Sequence, residues 1–238
     1  MALDAFQFKQ FSVDHDKCAM KVGTDAVLLG AWAYVDHRPK SILDIGAGSG
    51  ILALMLAQRS SAELIDALEI DASAYEQCVT NFEQSPWRDR LFCYHASLEE
   101  FTEEIEDKYD LIVSNPPFYT NPFDTQNDAR NRARFEHAMP FRHLIESVSK
   151  LLSDGGQFCV IVPYSAEKTF YTLAKEQGLF CHNILHVRGE KQGKIKRCLM
   201  AFSFENRQAD RQEMYLEDGR HSYSEAYKNM TKEFYLKF

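Results

Sequence analysis

Asn115, Pro116, Pro117 and Phe118 form the segment best suited to chemistry. They follow Leu111-Ile112-Val113, an apolar run that reads as a buried strand delivering the tetrapeptide to a sheet edge. An amino group on an aromatic ring is a poor nucleophile, because its lone pair is delocalised. Two acceptors that hold both N–H bonds draw such a nitrogen towards tetrahedral geometry and release the lone pair. The Asn115 side-chain oxygen is one acceptor and the Pro116 carbonyl is the second. Pro116 and Pro117 lack an N–H and fix φ, so they offer carbonyls from a stiff turn. Phe118 adds a flat face on which a base can stack. The same four residues would also make an ordinary strand-terminating turn. What precedes them in the chain favours the chemical reading.

Residues 41–45 read as a short buried strand and residues 51–57 as an apolar helix, with Gly46, Gly48 and Gly50 between them. Strand, glycine turn and helix open a nucleotide-binding α/β fold, because glycines let the backbone approach a ligand closely. A dinucleotide turn wants its third glycine one position later, where this chain has Ile51. Gly-x-Gly-x-Gly with Asp44 two residues before it resembles the S-adenosylmethionine turn of the seven-stranded methyltransferases. An acid there suits a cofactor carrying an ammonium and a sulfonium, and repels a pyrophosphate. The competing reading is a plain strand-to-helix turn.

The next strand, residues 63–71, ends on Glu69, Ile70 and Asp71. Glu69 lies about 20 residues past the glycines, where an acid accepts hydrogen bonds from ribose hydroxyls. Ile70 joins it as a cofactor contact, and Asp71 reads as the N-cap of a helix over 72–84. A third strand, 90–96, ends beside Ser97. Methyltransferases of this type touch the cofactor adenine there, many of them with an acid; this chain has Ala96 and Ser97 instead.

The chain has 238 residues, enough for one α/β domain with a real core. No stretch approaches the ~18–20 apolar residues that span a membrane. The first six residues lack a basic flank followed by an apolar core, so no signal peptide is expected. Six cysteines without a Cys-x-x-Cys pair read as reduced thiols in a cytoplasmic protein. The histidines show no metal-ligand spacing, so no metal is expected.

The net charge of −8 argues against a large nucleic-acid surface. Local charge argues the other way. Arg188, Lys191, Lys194, Lys196 and Arg197 face a single acid, Glu190, in a segment read as a mobile loop between two strands. Arg130, Arg132 and Arg134 follow the tetrapeptide. Such runs usually form solvated faces. Here both would lie at the C-terminal edge of a parallel sheet, where ligands bind, and phosphate contacts could position a folded RNA. Lys191, Lys194, Lys196 and Arg197 are the candidates in the first run, and all three arginines in the second. The acid-rich run 99–107 reads as a solvated helix and loop.

Further on, a helix over 141–152, a strand over 157–162, a helix over 166–177 and an antiparallel pair at 180–187 and 196–204 complete seven strands. Residues 6–13 alternate as an exposed-edge strand. Residues 21–32 read as a turn, a cap at Thr24 or Asp25, and an apolar helix. Placed before the first core strand, residues 1–40 suggest a lid over the cofactor's methionine end. Lys21 could pair with its carboxylate, and Thr24 or Asp25 with its ammonium. The aromatic residues of 223–238 read as a helix packed on the sheet.

The lead Lys21-Val22-Gly23-Thr24-Asp25, the turn at 44–50, the tetrapeptide at 115–118 and the ending Phe234-Tyr235-Leu236-Lys237-Phe238 resemble the bacterial tRNA adenine-N6 methyltransferases that act on the anticodon loop of a valine tRNA. The resemblance covers nearly the whole chain. It implies a Rossmann-like, seven-stranded class I methyltransferase fold over 41–238 with an N-terminal extension. It also implies S-adenosylmethionine as cofactor and adenine 37 as target. Carried over, Asn115 and Pro116 would hold the amino group and Phe118 would stack on the base. Asp44, Gly46, Gly48 and Glu69 would hold the cofactor. A monomer with no obligate protein partner is expected. Rival readings are a protein glutamine methyltransferase, whose amide substrate is equally planar, a DNA adenine methyltransferase, and a non-catalytic nucleotide- or RNA-binding protein.

Overall fold

The computed structural model describes residues 5–117, 140–219 and 222–237. A two-stranded hairpin, β1 (Phe6–Gln7) and β2 (Ser12–Val13), precedes helix α1 (Thr24–Trp32). Strand–helix units follow: β3 (Ser41–Ile45), α2 (Ile51–Arg59), β4 (Leu64–Glu69), α3 (Ala72–Glu83), β5 (Leu91–His95), α4 (Leu98–Glu104) and β6 (Tyr109–Ser114). Then come α5 (Phe141–Leu151), β7 (Leu152–Pro163), α6 (Glu167–Glu176), β8 (Phe180–Glu190), β9 (Ile195–Ser203), β10 (Asp210–Gly219), β11 (Ser222–Tyr223) and α7 (Glu225–Thr231).

The strands from β3 to β11 form one sheet in the order β11-β10-β8-β9-β7-β6-β3-β4-β5, with β9 antiparallel to both neighbours. The seven expected strands are its core. β10 and β11 are additions that sequence reading did not find. β10 pairs parallel with β8 at the sheet's margin and buries only Met214, so its sequence carries no apolar alternation. The central strands are buried on both faces, which is why they read as continuous apolar runs. Ile42, Val113 and Cys159 pack towards α1, α2 and α3 on one face. Leu43, Ile112 and Phe158 pack towards α4, α5 and α6 on the other.

Three local expectations are corrected. The segment 6–13 is a hairpin with Phe8, Phe11 and Val13 buried, not an exposed-edge strand. Phe6 and Phe8 pack on Tyr235, and the Lys9 N–H donates to the Phe234 carbonyl at 2.8 Å. The basic loop is shorter than predicted, since β8 and β9 extend into it and leave a tight hairpin turn. Neither Thr24 nor Asp25 caps α1; the N-cap is Gly23, without a side-chain bond. In the tail, Tyr227 and Phe234 are buried.

Gly50 shows how tightly the glycine turn is seated. It has φ +78°, and an added Cβ would stand 2.5 Å from Phe82 Cε1 and 2.7 Å from Cys78 Sγ. Gly50→Ala is therefore expected to destabilise the fold by about 3 kcal/mol, from strained φ plus overpacking. A chemical denaturation midpoint unchanged from the parent would refute this.

Candidate active site

Parallel strands place their C-terminal ends on one edge, and the sequence motifs gather there. Register pairs Ile45 of β3 with Ser114 of β6. The glycine turn and Asn115 thus leave adjacent strands side by side, although about 70 residues separate them. The Ser114 hydroxyl donates to the Ile45 carbonyl at 2.8 Å and ties the two ends together. Pro116 is buried and Asn115 half-buried. The Asn115 side chain makes no hydrogen bond among the described residues, which leaves its oxygen available as an acceptor. Phe118, Arg130, Arg132 and Arg134 lie outside the described residues.

Asp44 is fully buried. Its Oδ2 accepts from the Ala53 N–H at 3.2 Å, while its Oδ1 has no partner. Complete burial, with the Glu69 carboxylate adding, pushes this carboxyl up to about 7 against the pull of the Ala53 N–H. Glu69 accepts from Gly48 N–H at 2.7 Å and from Asp71 N–H at 2.9 Å, which fixes the carboxylate at the rim of the turn. Each of its oxygens retains a lone pair for a ligand hydroxyl. Gly46 and Gly48 have φ +76° and +56°, and a Cβ on either would meet nothing within 4 Å. Unlike Gly50, they border open space, the room a ligand backing onto the turn requires.

The other predicted contacts are more dispersed. Ile70 is 47% exposed at the end of β4, an apolar surface beside Glu69. Ser97 is the N-cap of α4, in a capping box with Glu100. Asp71 caps α3 through Ala74 N–H at 2.9 Å, as expected. Lys21 is exposed three residues before α1. Thr24 borders a cavity of about 480 Å³ with Lys196, Gly193 and Tyr223. Asp25 turns to Arg197, at 2.7 Å from Nε. That guanidinium is therefore engaged within the protein. Lys191 and Lys194 are exposed in the β8–β9 turn and Lys196 at the start of β9, all at the catalytic edge.

Sequence reading missed Gln77 and Asn81, two buried polar residues of α3. Asn81 Nδ2 donates to the carbonyls of Ser49 and Asp14, each at 2.9 Å, and its Oδ1 accepts from Asp14 N–H. Gln77 Oε1 accepts from Lys17 N–H at 3.0 Å, and its Nε2 donates to Asp16. Together they strap residues 14–17 across α3 to the glycine turn. The available signal was two amides on the inward face of an amphipathic helix. A further cluster, Glu167, His186 and Cys198, has ligand-like spacing. Its carboxylate is already held by His186 Nε2 at 2.8 Å and Arg211 Nη1 at 2.9 Å, an internally satisfied network.

A family model described as the methyltransferase small domain matches residues 22–183. A Flavobacterium johnsoniae protein named tRNA1(Val) (adenine(37)-N6)-methyltransferase is 58% identical over 98% of this chain and 99% of its own length. The protein of that name from Christiangramia forsetii is 52% identical over 100% of both chains. Among solved structures, a predicted O-methyltransferase from Agrobacterium tumefaciens gives a TM-score of 0.66 at 18% identity, covering 88% of this chain and 96% of that one. A ribosomal protein L11 methylase from Lactobacillus delbrueckii gives 0.55 at 18% identity, covering 76% and 78%. These distant structures share the fold, a Rossmann-like class I methyltransferase. The chain belongs to the tRNA1(Val) (adenine(37)-N6)-methyltransferase family.

Proposed function

We infer that this enzyme transfers a methyl group from S-adenosylmethionine to the exocyclic N6 of adenine 37 in the anticodon loop of a valine tRNA. The observation that carries the reading is the juxtaposition of the glycine turn and Asn115 on neighbouring strand ends, in a chain 58% identical to a protein of that name. The cofactor supplies an electrophilic sulfonium methyl. Three features fit it: an orphaned Asp44 oxygen suited to its ammonium, the open space at Gly46 and Gly48, and Glu69 suited to its ribose hydroxyls. Ile70 and Ser97 border the position of the adenine ring. Lys21 and Thr24 belong to the methionine end, in the reading of residues 1–40 as a lid on the 41–238 domain.

The chain's own residues orient and desolvate the nucleophile. The Asn115 oxygen and the Pro116 carbonyl accept the two amino N–H bonds. Phe118 stacks on the base, and Pro117 stiffens the turn. A proton can leave after transfer, because the ammonium formed on an aromatic ring is strongly acidic; no histidine base is required. The base must leave its stack to reach the site, which costs least in a single-stranded loop. With tRNA as substrate, the enzyme works in the cytoplasm. Among the described residues no helix is long and apolar enough to cross a membrane.

The test is methyl transfer from labelled S-adenosylmethionine to unmodified tRNA, followed by nucleoside mass spectrometry. N6-methyladenosine at position 37 is the expected product. Label found only in protein would favour glutamine methylation instead. The exposed lysines supply a second check. Changing Lys191, Lys194 and Lys196 to Glu should raise KM for tRNA at least tenfold and flatten its salt dependence, with cofactor affinity unchanged. A KM that does not move would remove this hairpin from the RNA interface.

A further inference from the structure

The end of the sheet away from the glycine turn carries a second site. α1 starts at the catalytic edge and runs down the sheet to Trp32. There Trp32, Tyr34, Gln157, His182, Asn183 and Arg207 border a cavity of about 330 Å³. Gln157 lies six residues before the end of β7, roughly 20 Å of extended chain from the catalytic edge.

Three of these side chains carry a buried atom with no hydrogen-bond partner: Gln157 Oε1, His182 Nε2 and Asn183 Oδ1. Buried polar atoms are nearly always paired, so three in residues that border one cavity point to a ligand that turns them towards it. The backbone gives an independent sign. β8 and β9 shift register between Cys181 and Asn183, which leaves His182 as a bulged residue. Bulges re-aim side chains and recur beside binding sites. Burial and the Arg207 charge push the His182 imidazole down to about 4, so it stays neutral at physiological pH. Two amide oxygens and a neutral imidazole are the acceptors that these residues can turn to a ligand.

The remaining residues narrow the ligand further. Trp32 and Tyr34 supply aromatic surface; Tyr34 is 47% exposed, and its ring lies parallel to His37. Among the described residues the Arg207 guanidinium has one ion pair, exposed and at 3.7 Å, with Glu205, which an anion could replace. Asp210, also on the wall, already accepts from Gln212 Nε2 at 2.8 Å. The space suits a molecule of nucleotide size.

We propose that this cavity binds a nucleotide whose base carries an exocyclic amino group. The amino N–H bonds go to Gln157 and Asn183, the ring lies on Trp32 and Tyr34, and the phosphate pairs with Arg207. Either a free nucleotide or an unpaired residue of the tRNA has this chemistry.

The test uses the full chain with its cofactor pocket filled by S-adenosylhomocysteine, and the Arg207 and Asn183 substitutions mark binding at the second site whether or not the methyl-transfer assignment holds. AMP, CMP and UMP are titrated calorimetrically. AMP and CMP should bind, with UMP at least tenfold weaker because it lacks the amino group. Arg207→Ala should weaken AMP and CMP at least tenfold. Asn183→Leu should abolish binding and raise Tm, because it removes an unpaired buried oxygen. Absence of nucleotide binding at millimolar concentration, equal binding of UMP, or affinities indifferent to both substitutions would overturn the proposal. The tRNA kinetics of Arg207→Ala then identify the source. A several-fold rise in KM with kcat unchanged makes the occupant a residue of the tRNA. An unchanged KM makes it a free nucleotide.

Discussion

Asn115→Ala is expected to lower kcat by about 100- to 1,000-fold while leaving cofactor affinity within twofold of the parent. The effect is large because the asparagine oxygen accepts one of only two N–H bonds that must be held as the nitrogen changes geometry. Cofactor binding is spared, because Asp44, Glu69 and the glycine turn hang on β3 and β4 and make no bond to Asn115. Asn115→Asp keeps an acceptor oxygen and should recover part of the lost rate, which a merely structural asparagine would not show. Single-turnover methyl transfer to tRNA separates the outcomes. Near-normal turnover in the alanine variant would exclude the asparagine from the reacting centre.

Asp44→Asn is the second large effect, and it runs in two directions. The carboxyl sits up at about 7 because burial penalises its charged form. An acid whose folded value is raised above its unfolded one contributes most stability below about pH 4. That contribution declines as pH rises towards 7. The amide escapes this penalty, so the ligand-free variant should be more stable than the parent at pH 8, by about 2 kcal/mol. It should bind S-adenosylhomocysteine at least 30-fold more weakly, since a charge-assisted bond to the ligand ammonium is worth about 2 kcal/mol. In the parent protein, binding should expel a proton at pH 6 and almost none near pH 8. Affinity should therefore strengthen as pH rises through 7, until the ligand's own ammonium deprotonates. Calorimetry in buffers of different ionisation enthalpy reads this directly. Proton uptake at pH 6, or an asparagine variant that keeps parental affinity, would detach Asp44 from the ammonium.

Much of this site is legible in the primary structure because its parts are local. A glycine turn needs its residues within seven positions, and an Asn-Pro-Pro turn needs three. Strands buried on both faces announce themselves as apolar runs, and an Asp before a helix announces a cap. What stays hidden depends on partners far along the chain. Half of the residues of β10 are charged, and Met214 is the one residue of it that is buried. Asn81 and Gln77 read as ordinary helix polar residues until residues 14–17 arrive across α3. Arg197 reads as a free cation, yet Asp25, 172 positions away, lies 2.7 Å from it. The hairpin at 6–13 looks exposed only while Tyr235 is left out.

That last contact has a consequence for synthesis on the ribosome. Phe6 and Phe8 pack against Tyr235, which is made more than 220 residues after them. The hairpin has almost no interior of its own and cannot be seated until Tyr235 has left the ribosome. Residues 14–17, tethered to it, reach their place beside the cofactor turn only then. A ribosome-bound chain can therefore complete its central sheet and still lack a finished methyl-donor pocket. Activity waits on the segment around Tyr235, and its loss would be felt at a hairpin more than 220 positions earlier.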